Sequence, residues 1–490
     1  MSEINVCGLT FGYPGSFDNI FENVSFKLDA GWRVGFIGRN GRGKTTFLRL
    51  LMGGLEYTGK ITSGLAFDYF PFEVQNPERD TLEIIEQVSG AEFWEICREI
   101  SLLGVEQQVL YRAFSTLSGG EQAKVLLAGL FLKQNNFLLI DEPTNHLDAP
   151  ARKRVAEYLQ GKGGFVLVSH DRDFLDGCID HVLSINKADI QVQRGNFSTW
   201  WENKARCEAF EQSENQRLER DIKTLTTAAR QTANWADNVE KSKKRQEGMA
   251  VDRGYIGHKA AKLMKRSKNA QTRIDKAIEQ KQGLLKNLEN AEALKMFGQK
   301  FHAKRLVYAR DLTINYGGRQ VCGPVSFEIN QGDRIAITGA NGSGKSSLLK
   351  LILGRDIPHG GLFEVAGLSV SYVSQDTHGL SGGLYDFAAQ QGIDQSLFIT
   401  VLRKLGFERA QLEKDISEFS AGQKKKTLLA KSLCQQAHLF VWDEPLNYID
   451  LLSRIQIEQV ILEYTPTMVF VEHDRAFVEK VATWQLTIDS

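Results

Sequence analysis

No apolar run in this chain of 490 residues approaches the roughly 18 that a membrane-spanning helix needs. An integral membrane protein is therefore not expected. The start, MSEINVCGLTFGY, lacks a basic stretch followed by an apolar core, so no secretory signal is expected either. Six cysteines (Cys7, Cys97, Cys178, Cys207, Cys322 and Cys434) are scattered and form no C-x-x-C pair. That spacing argues against a disulfide framework or a metal site, and free thiols in a reducing cytoplasm fit it better. Net charge is missing too, since sixty Lys and Arg balance sixty Asp and Glu. Any attraction for a polyanion must come from a local excess. Proline is absent between Asn203 and Leu294, where charged residues crowd in.

What is present is an ordinary hydrophobic content of 42%, enough for sizeable cores in a chain too long for one domain. The strand-like Val34–Ile37 leads into GRNGRGKT, Gly38 to Thr45, and then a helical pattern from Thr46 to Met52. The same order returns as Ile335–Thr338, then GANGSGKS from Gly339 to Ser346, then a helix from Ser347. Lys44 and Lys345 are 301 residues apart, Asp141 and Asp443 302, His170 and His473 303. Motifs recurring in one order at nearly one offset indicate a duplicated domain. Strands alternating with helices make each copy an α/β unit with a largely parallel sheet.

Between the copies, Leu218, Ile222, Leu225, Ala229, Thr232, Ala236 and Val239 step by four and three, the spacing of a coiled-coil seam. A second helical stretch covers roughly 258–291, and Gly248, Gly254 and Gly257 break the pattern between the two. The expectation is an antiparallel helical hairpin with its tip near 246–257, its arms of roughly 40 residues about 60 Å long. Lys241 to Arg273 holds eleven basic residues against Glu247 and Asp252, a local charge of +9. Such a run suits a phosphate backbone, and it is also what a merely solvated helix face looks like. Lys241, Lys243, Lys244, Arg245, Lys262, Lys265, Arg266 and Lys268 flank the tip as RNA contacts. Met249, Val251 and Tyr255 at the tip could press on RNA or stack on a base.

The repeated motifs carry chemistry. G-x-x-x-x-G-K-[ST] wraps backbone N–H groups around phosphates at a helix N-terminus. This makes Gly38, Asn40, Gly41, Gly43, Lys44, Thr45 and Thr46 one candidate nucleotide site. Gly339, Asn341, Gly342, Gly344, Lys345, Ser346 and Ser347 make the other. Lys44 and Lys345 would reach phosphates, and Thr45 and Ser346 would bind Mg²⁺. Apolar strands end in Asp141-Glu142 and Asp443-Glu444. Each Asp would help hold Mg²⁺ and each Glu would polarise the attacking water. Taken alone, such a pair reads equally as an acidic turn at a strand end. His170 and His473 each follow a further apolar strand, and their recurrence favours a γ-phosphate contact over a structural role. Ser118 and Ser420, in LSGGEQ and FSAGQK, would cap helices and leave their N-termini, with Gly120 and Gly422, open to an anion.

Together these residues resemble the ATP-binding cassette family, with Walker A, signature, Walker B, D-loop (Asp148, Asp450) and switch histidine in each half. The resemblance covers about four fifths of the chain. It implies two ABC-type P-loop ATPase domains, at 1–202 and 296–490, joined by a helical hairpin linker at 203–295. It also implies ATP and Mg²⁺ as cofactors and head-to-tail closure that places each ATP between one Walker pair and the opposite signature, so that a monomer could form both sites. Tandem cassettes joined by a basic linker are similar to the ABC-F proteins. IGRNGRGKTT, RGNFS, GYIGHKAAKLMKRSKN and WDEPLNYID look like the Lsa-type antibiotic-resistance members. That likeness implies a cytoplasmic partner, the ribosome. The linker would reach a P-site tRNA and large-subunit rRNA near the peptidyl-transferase centre, displacing lincosamide, pleuromutilin or streptogramin A drugs. Phe72 to Ser118 spans 46 residues and Gln375 to Ser420 spans 45, so no extra arm is inserted in the first cassette. A housekeeping ABC-F translation factor would share all the cassette chemistry, and the ATPase of a drug exporter would share the motifs without explaining the basic linker. In the family a loop glutamine links Mg²⁺ and the attacking water to closure. Gln375 fills that place, but Phe72 stands at the matching position in the first half, and Gln75, three residues on, could substitute if the loop is bent differently. Phenylalanine neither coordinates a metal nor donates a hydrogen bond, so the two sites are expected to be unequal.

Overall fold

Alternation within the central strands sets the layering. In Leu439–Asp443, Leu439 and Val441 pack with Ile335, Ile337, Val469 and Val471, whereas Phe440 and Trp442 pack with Met468 and Phe470. Successive side chains of a strand point to opposite faces. Short strands that are apolar throughout therefore need cover on both sides. In the computed structural model, strands Val370–Val373, Leu439–Asp443, Met468–Val471, Arg334–Gly339 and Trp484–Ile488 lie in that order as a parallel sheet. A three-stranded antiparallel sheet (Arg319–Asn330, Arg305–Tyr316, His359–Val365) and the helix Lys345–Ile352 cover one face. The helices Gln395–Lys404, Ala421–Cys434 and Leu451–Tyr464 cover the other.

The first half repeats the plan. Ala66–Phe70, Asn136–Asp141, Phe165–Val168, Arg33–Ile37 and His181–Ile185 run parallel, and Ile190–Arg194 adds an antiparallel edge. Phe21–Asp29, Glu3–Phe11 and Thr58–Thr62 form its antiparallel sheet. In both halves the strand leading into the phosphate loop is interior to the sheet, and the acid-bearing strand lies two places away. The candidate groups thus gather at the C-terminal ends of the strands, where ligands of open α/β sheets bind.

The structure describes residues 3–14, 19–144, 147–185, 190–245, 272, 294–316, 319–340 and 342–488. The chain divides into two compact units, Met1–Trp200 with Ala291–Ser490, and Trp201–Asn290. Both cassettes belong to the first. The second holds most of the helix Phe197–Arg245, whose 49 residues include the seam from Leu218 to Val239. The expected tip and return arm lie outside the described residues, except Thr272, which is helical. Among the described residues no helix is long and apolar enough to cross a membrane. All six cysteines are free.

Candidate active site

A phosphate loop needs backbone turns that glycine adopts without strain. Gly43 has φ 87° and Gly344 φ 90°, each immediately before its helix. A Cβ at position 43 would also lie 2.5 Å from Ile20. The turn lets the helices begin at Lys44 and Lys345, two residues earlier than the apolar pattern alone suggests, so their first N–H groups face the loop. Lys44 Nζ donates to the carbonyls of Gly38 (2.7 Å) and Arg39 (3.3 Å) and to Asn40 Oδ1 (3.3 Å). Lys345 Nζ donates to Gly339 (2.9 Å) and Ala340 (2.7 Å). Thr46 is buried, its hydroxyl 3.0 Å from that of Tyr13.

Thr45 Oγ1 donates to Asp141 Oδ2 at 3.0 Å, and the Ser346 side chain stands beside Asp443. The next residues, Glu142 and Glu444, have φ 51° and 46°, a left-handed conformation uncommon for residues with a side chain. Their N–H groups donate to Val168 and Val471 on the adjacent strands, at 2.9 and 3.0 Å. Beyond those strands stand the histidines. His170 Nε2 is 3.4 Å from Glu142 Oε1, and His473 Nε2 is 3.5 Å from Glu444 Oε1. Ser118 and Ser420 cap their helices as full capping boxes, each accepting at 3.3 Å from the N–H of Glu121 or Gln423.

The two halves meet head to tail. One cavity of about 1660 Å³ is lined by Asn40 and Gly41 with Ser420 and Gly422, and by Gly342, Lys345, Ser346 and Ser347 with Ser118 and Gly120. Asn40 Nδ2 donates to Tyr448 O at 3.0 Å. Only glycine fits at 422, where a Cβ would lie 2.6 Å from that same carbonyl. Each phosphate loop thus shares the cavity with the signature of the other half.

A family model described as "ABC transporter" matches residues 21–145 and 322–447, together about half of the chain. The chain belongs to this ABC transporter family. It is an ATPase, with two cassettes that bind ATP. Among its relatives is the ribosome protection protein VmlR of Bacillus subtilis, 28% identical across 98% of this chain and 85% of that protein. The ATP-binding protein Uup of Caulobacter vibrioides is also 28% identical, across 96% of this chain and 75% of Uup. Of solved structures, the archaeal ribosome recycling factor aABCE1 in complex with the stalk protein aP1 matches at TM-score 0.60. It is 19% identical and covers 98% of this chain and 87% of the other, which carries the fold.

Several groups that shape the cassettes' sites were not legible in the motifs. Strand register pairs Phe70 with Ile140 and Val373 with Trp442, so Phe72 and Gln375 do occupy equivalent places. Gln375 Nε2 donates to Glu444 Oε2 at 2.9 Å, and Asn447 Nδ2 donates to the same oxygen at 2.6 Å. In the first site Gln75 is exposed and does not line the cavity. Besides Thr45 and His170, Tyr69 reaches its acids, its hydroxyl donating to Asp141 Oδ2 at 2.9 Å. Burial, with Asp141 and Lys44 on opposite sides of the balance, pushes Glu142 up to about 8. Glu444 is held below its ordinary value, chiefly by the hydrogen bond from His473 and further by Asn447 and Gln375. His170 is lowered well below its ordinary value by burial and then by Lys44 and Arg454.

Among the described residues, the contacts that close the two halves on each other gather at one site. Arg39 Nη1 donates to Lys404 O at 3.1 Å, and Arg42 lies 3.4 Å from Glu408. Arg172, two residues past His170, pairs with the buried Glu458, which also accepts from Lys480 at 3.1 Å. At the equivalent places in the other direction, Ala156 carries no acid and Arg475 pairs within its own helix with Glu479. These contacts gather at the first site, where the His170 side chain is 15% exposed against 44% for His473. The D-loop acids differ likewise, with Asp450 buried on Lys426 (2.6 Å) and Asp148 exposed. Asn341, the side chains of Lys241, Lys243, Lys244 and Arg245, and all of Met249, Val251, Tyr255, Lys262, Lys265, Arg266 and Lys268 lie outside the described residues.

Proposed function

We propose that this chain is an ABC-F ATPase that binds the ribosome when its cassettes close on ATP, and that its linker then displaces antibiotics from the peptidyl-transferase centre. The observation that carries this reading is the +9 stretch from Lys241 to Arg273, set between two cassettes in a chain of zero net charge. A ribosome protection protein aligned over 98% of the chain supports it. The domains would be 1–202, 203–295 and 296–490. The partners would be large-subunit rRNA near that centre and the P-site tRNA, and the drugs lincosamides, pleuromutilins and streptogramin A. One chain supplies both composite sites, as a monomer working in the cytoplasm would require.

In each site the phosphate-loop N–H groups and Lys44 or Lys345 would hold the ATP phosphates, with the opposite signature serine and glycine closing over them. The hard oxygen donors suit Mg²⁺. In the second site, Asp443 Oδ1 is buried with no hydrogen-bond partner among the described residues, beside Ser346. Thr45 and Asp141, and Ser346, Asp443 and Gln375, would be the residues facing the ion, which when bound would neutralise charge building on the transferred phosphate. Glu142 and Glu444 would orient and deprotonate the attacking water, with His170 and His473 holding their carboxyls and sensing the γ-phosphate.

The linker's part rests on phosphate contacts. Neutralising Lys241, Lys243, Lys244 and Arg245 together should weaken ribosome binding and lower the slope of log K against log salt by roughly 3. Basal ATPase should stay near wild type, because none of the four belongs to a cassette. Co-sedimentation across a salt series measures this. Unchanged binding would make the run a solvated helix face.

A further inference from the structure

The signature helix Ala421–Cys434 reads AGQKKKTLLAKSLC, and the three consecutive lysines look like a solvated stripe. They are not one. Lys425 is 1% exposed and Lys426 4%. An ammonium taken out of water needs acceptors and nearby opposite charge. Lys426 finds them in Asp450 and the Leu405 carbonyl. Lys425 Nζ instead donates to two backbone carbonyls, Ser374 O at 2.7 Å and Asp443 O at 3.1 Å, with Glu472, Asp443 and Glu444 supplying negative charge around it.

Those two carbonyls have a particular place. The parallel ladder between Val370–Val373 and Leu439–Asp443 pairs Val373 with Trp442. Ser374 and Asp443 are the next residues on each chain, where the glutamine loop leaves the sheet. One residue further on are Gln375 and Glu444, whose side chains meet at 2.9 Å. We propose that Lys425 is a positioning residue of the second ATP site: its ammonium staples the glutamine loop to the Walker B strand and so holds Gln375 within reach of Glu444. An ammonium has three donors and tolerates varied acceptor directions, which suits it to joining two chains. This rests on the reading of Glu444 as the residue that activates water.

The first half lacks the whole arrangement. Ala123 stands five residues after Ser118, where Lys425 stands five after Ser420, and Pro71 and Phe72 replace Ser374 and Gln375. A lysine staple therefore occurs in the cassette that has a glutamine to position. Lys124 stands at the place of Lys426, so the neighbouring lysine recurs in both signature helices whereas Lys425 does not.

The test uses the full chain in two backgrounds. In Glu142→Gln, turnover comes from the second site. Adding Lys425→Met, which keeps the aliphatic stem and removes the charge, should lower kcat about tenfold with KM for ATP within about twofold, because displacement is costly at the reacting groups and the Lys425 ammonium donates to Ser374 and Asp443 rather than to a described phosphate-loop residue. In Glu444→Gln, where turnover comes from the first site, the same change should leave kcat within about twofold, which controls for folding. Gln375→Ala should cost as much as Lys425→Met, and combining them should cost no more than either alone, as expected for two residues acting through one contact. Equal loss in both backgrounds, a raised KM with unchanged kcat, or losses that multiply with Gln375→Ala would overturn the proposal. Normal turnover by Gln375→Ala would overturn it one step earlier, by removing Gln375 from the reaction. If Glu444→Gln alone leaves the rate untouched, the reading of Glu444 fails instead.

Discussion

Changing both Glu142 and Glu444 to Gln should cut ATP turnover by about 10²- to 10⁴-fold, the usual contribution of a general base, while ATP still binds. Both side chains sit one residue past an aspartate beside the phosphate-loop hydroxyl, in a left-handed kink, within 3.5 Å of a histidine. Gln keeps the shape and loses the basicity, so the phosphate loops, signatures and closure should survive. A protein closed on ATP that it cannot split should then remain on ribosomes. Steady-state hydrolysis and nucleotide binding measure the two halves of this expectation. A wild-type rate in the double variant would remove both glutamates from the mechanism.

The single variants should differ, with Glu444→Gln costing more of the total rate than Glu142→Gln. In the second site Glu444 accepts from Gln375 and Asn447, and the signature opposite is the regular Leu117–Gly120. In the first, Phe72 replaces the glutamine, Tyr69 occupies Asp141 instead, and the opposing signature is Phe419-Ser420-Ala421-Gly422. Among the described residues, Arg39, Asn40 and Arg172 grip the first site. A buried, tightly held site with a less complete set of polar groups should keep its ATP longer and turn over about tenfold more slowly, as misplacement of reacting groups commonly costs at least that. Single-turnover hydrolysis in each variant separates the rates. Equal losses would show that Phe72 is harmless.

The sequence carried the repeat, the loops and the caps because each is local. Gly43 must precede Lys44, and a serine followed three residues later by Glu121 or Gln423 spells a capping box within four positions. The equivalence of Phe72 and Gln375 was also legible, since it needs only an aligned count along two similar strands. Tyr69 was not, because its role depends on the pairing of Ala66–Phe70 with Asn136–Asp141 and on which way one ring points. Arg172 and Glu458 are 286 residues apart, and nothing near either residue announces the other. Lys425 was hidden for a different reason. Charge in a helix ordinarily signals a wet face, and only the strand ends beneath it reveal two carbonyls to satisfy. The described cross-cassette contacts at the first site are of this kind, so the motifs carry the side-chain difference between the two sites but not the contacts that close the first.

The central claim is that the ATP-bound chain clears drugs from the ribosome. It is tested most directly by loading ribosomes that carry a P-site tRNA with a labelled lincosamide, then adding the Glu142→Gln, Glu444→Gln protein with ATP. Bound drug should fall as bound protein rises, and neither should change when ATP is omitted. Protein that binds in an ATP-dependent manner while drug occupancy stays constant would contradict the claim and favour a translation factor without a protective role.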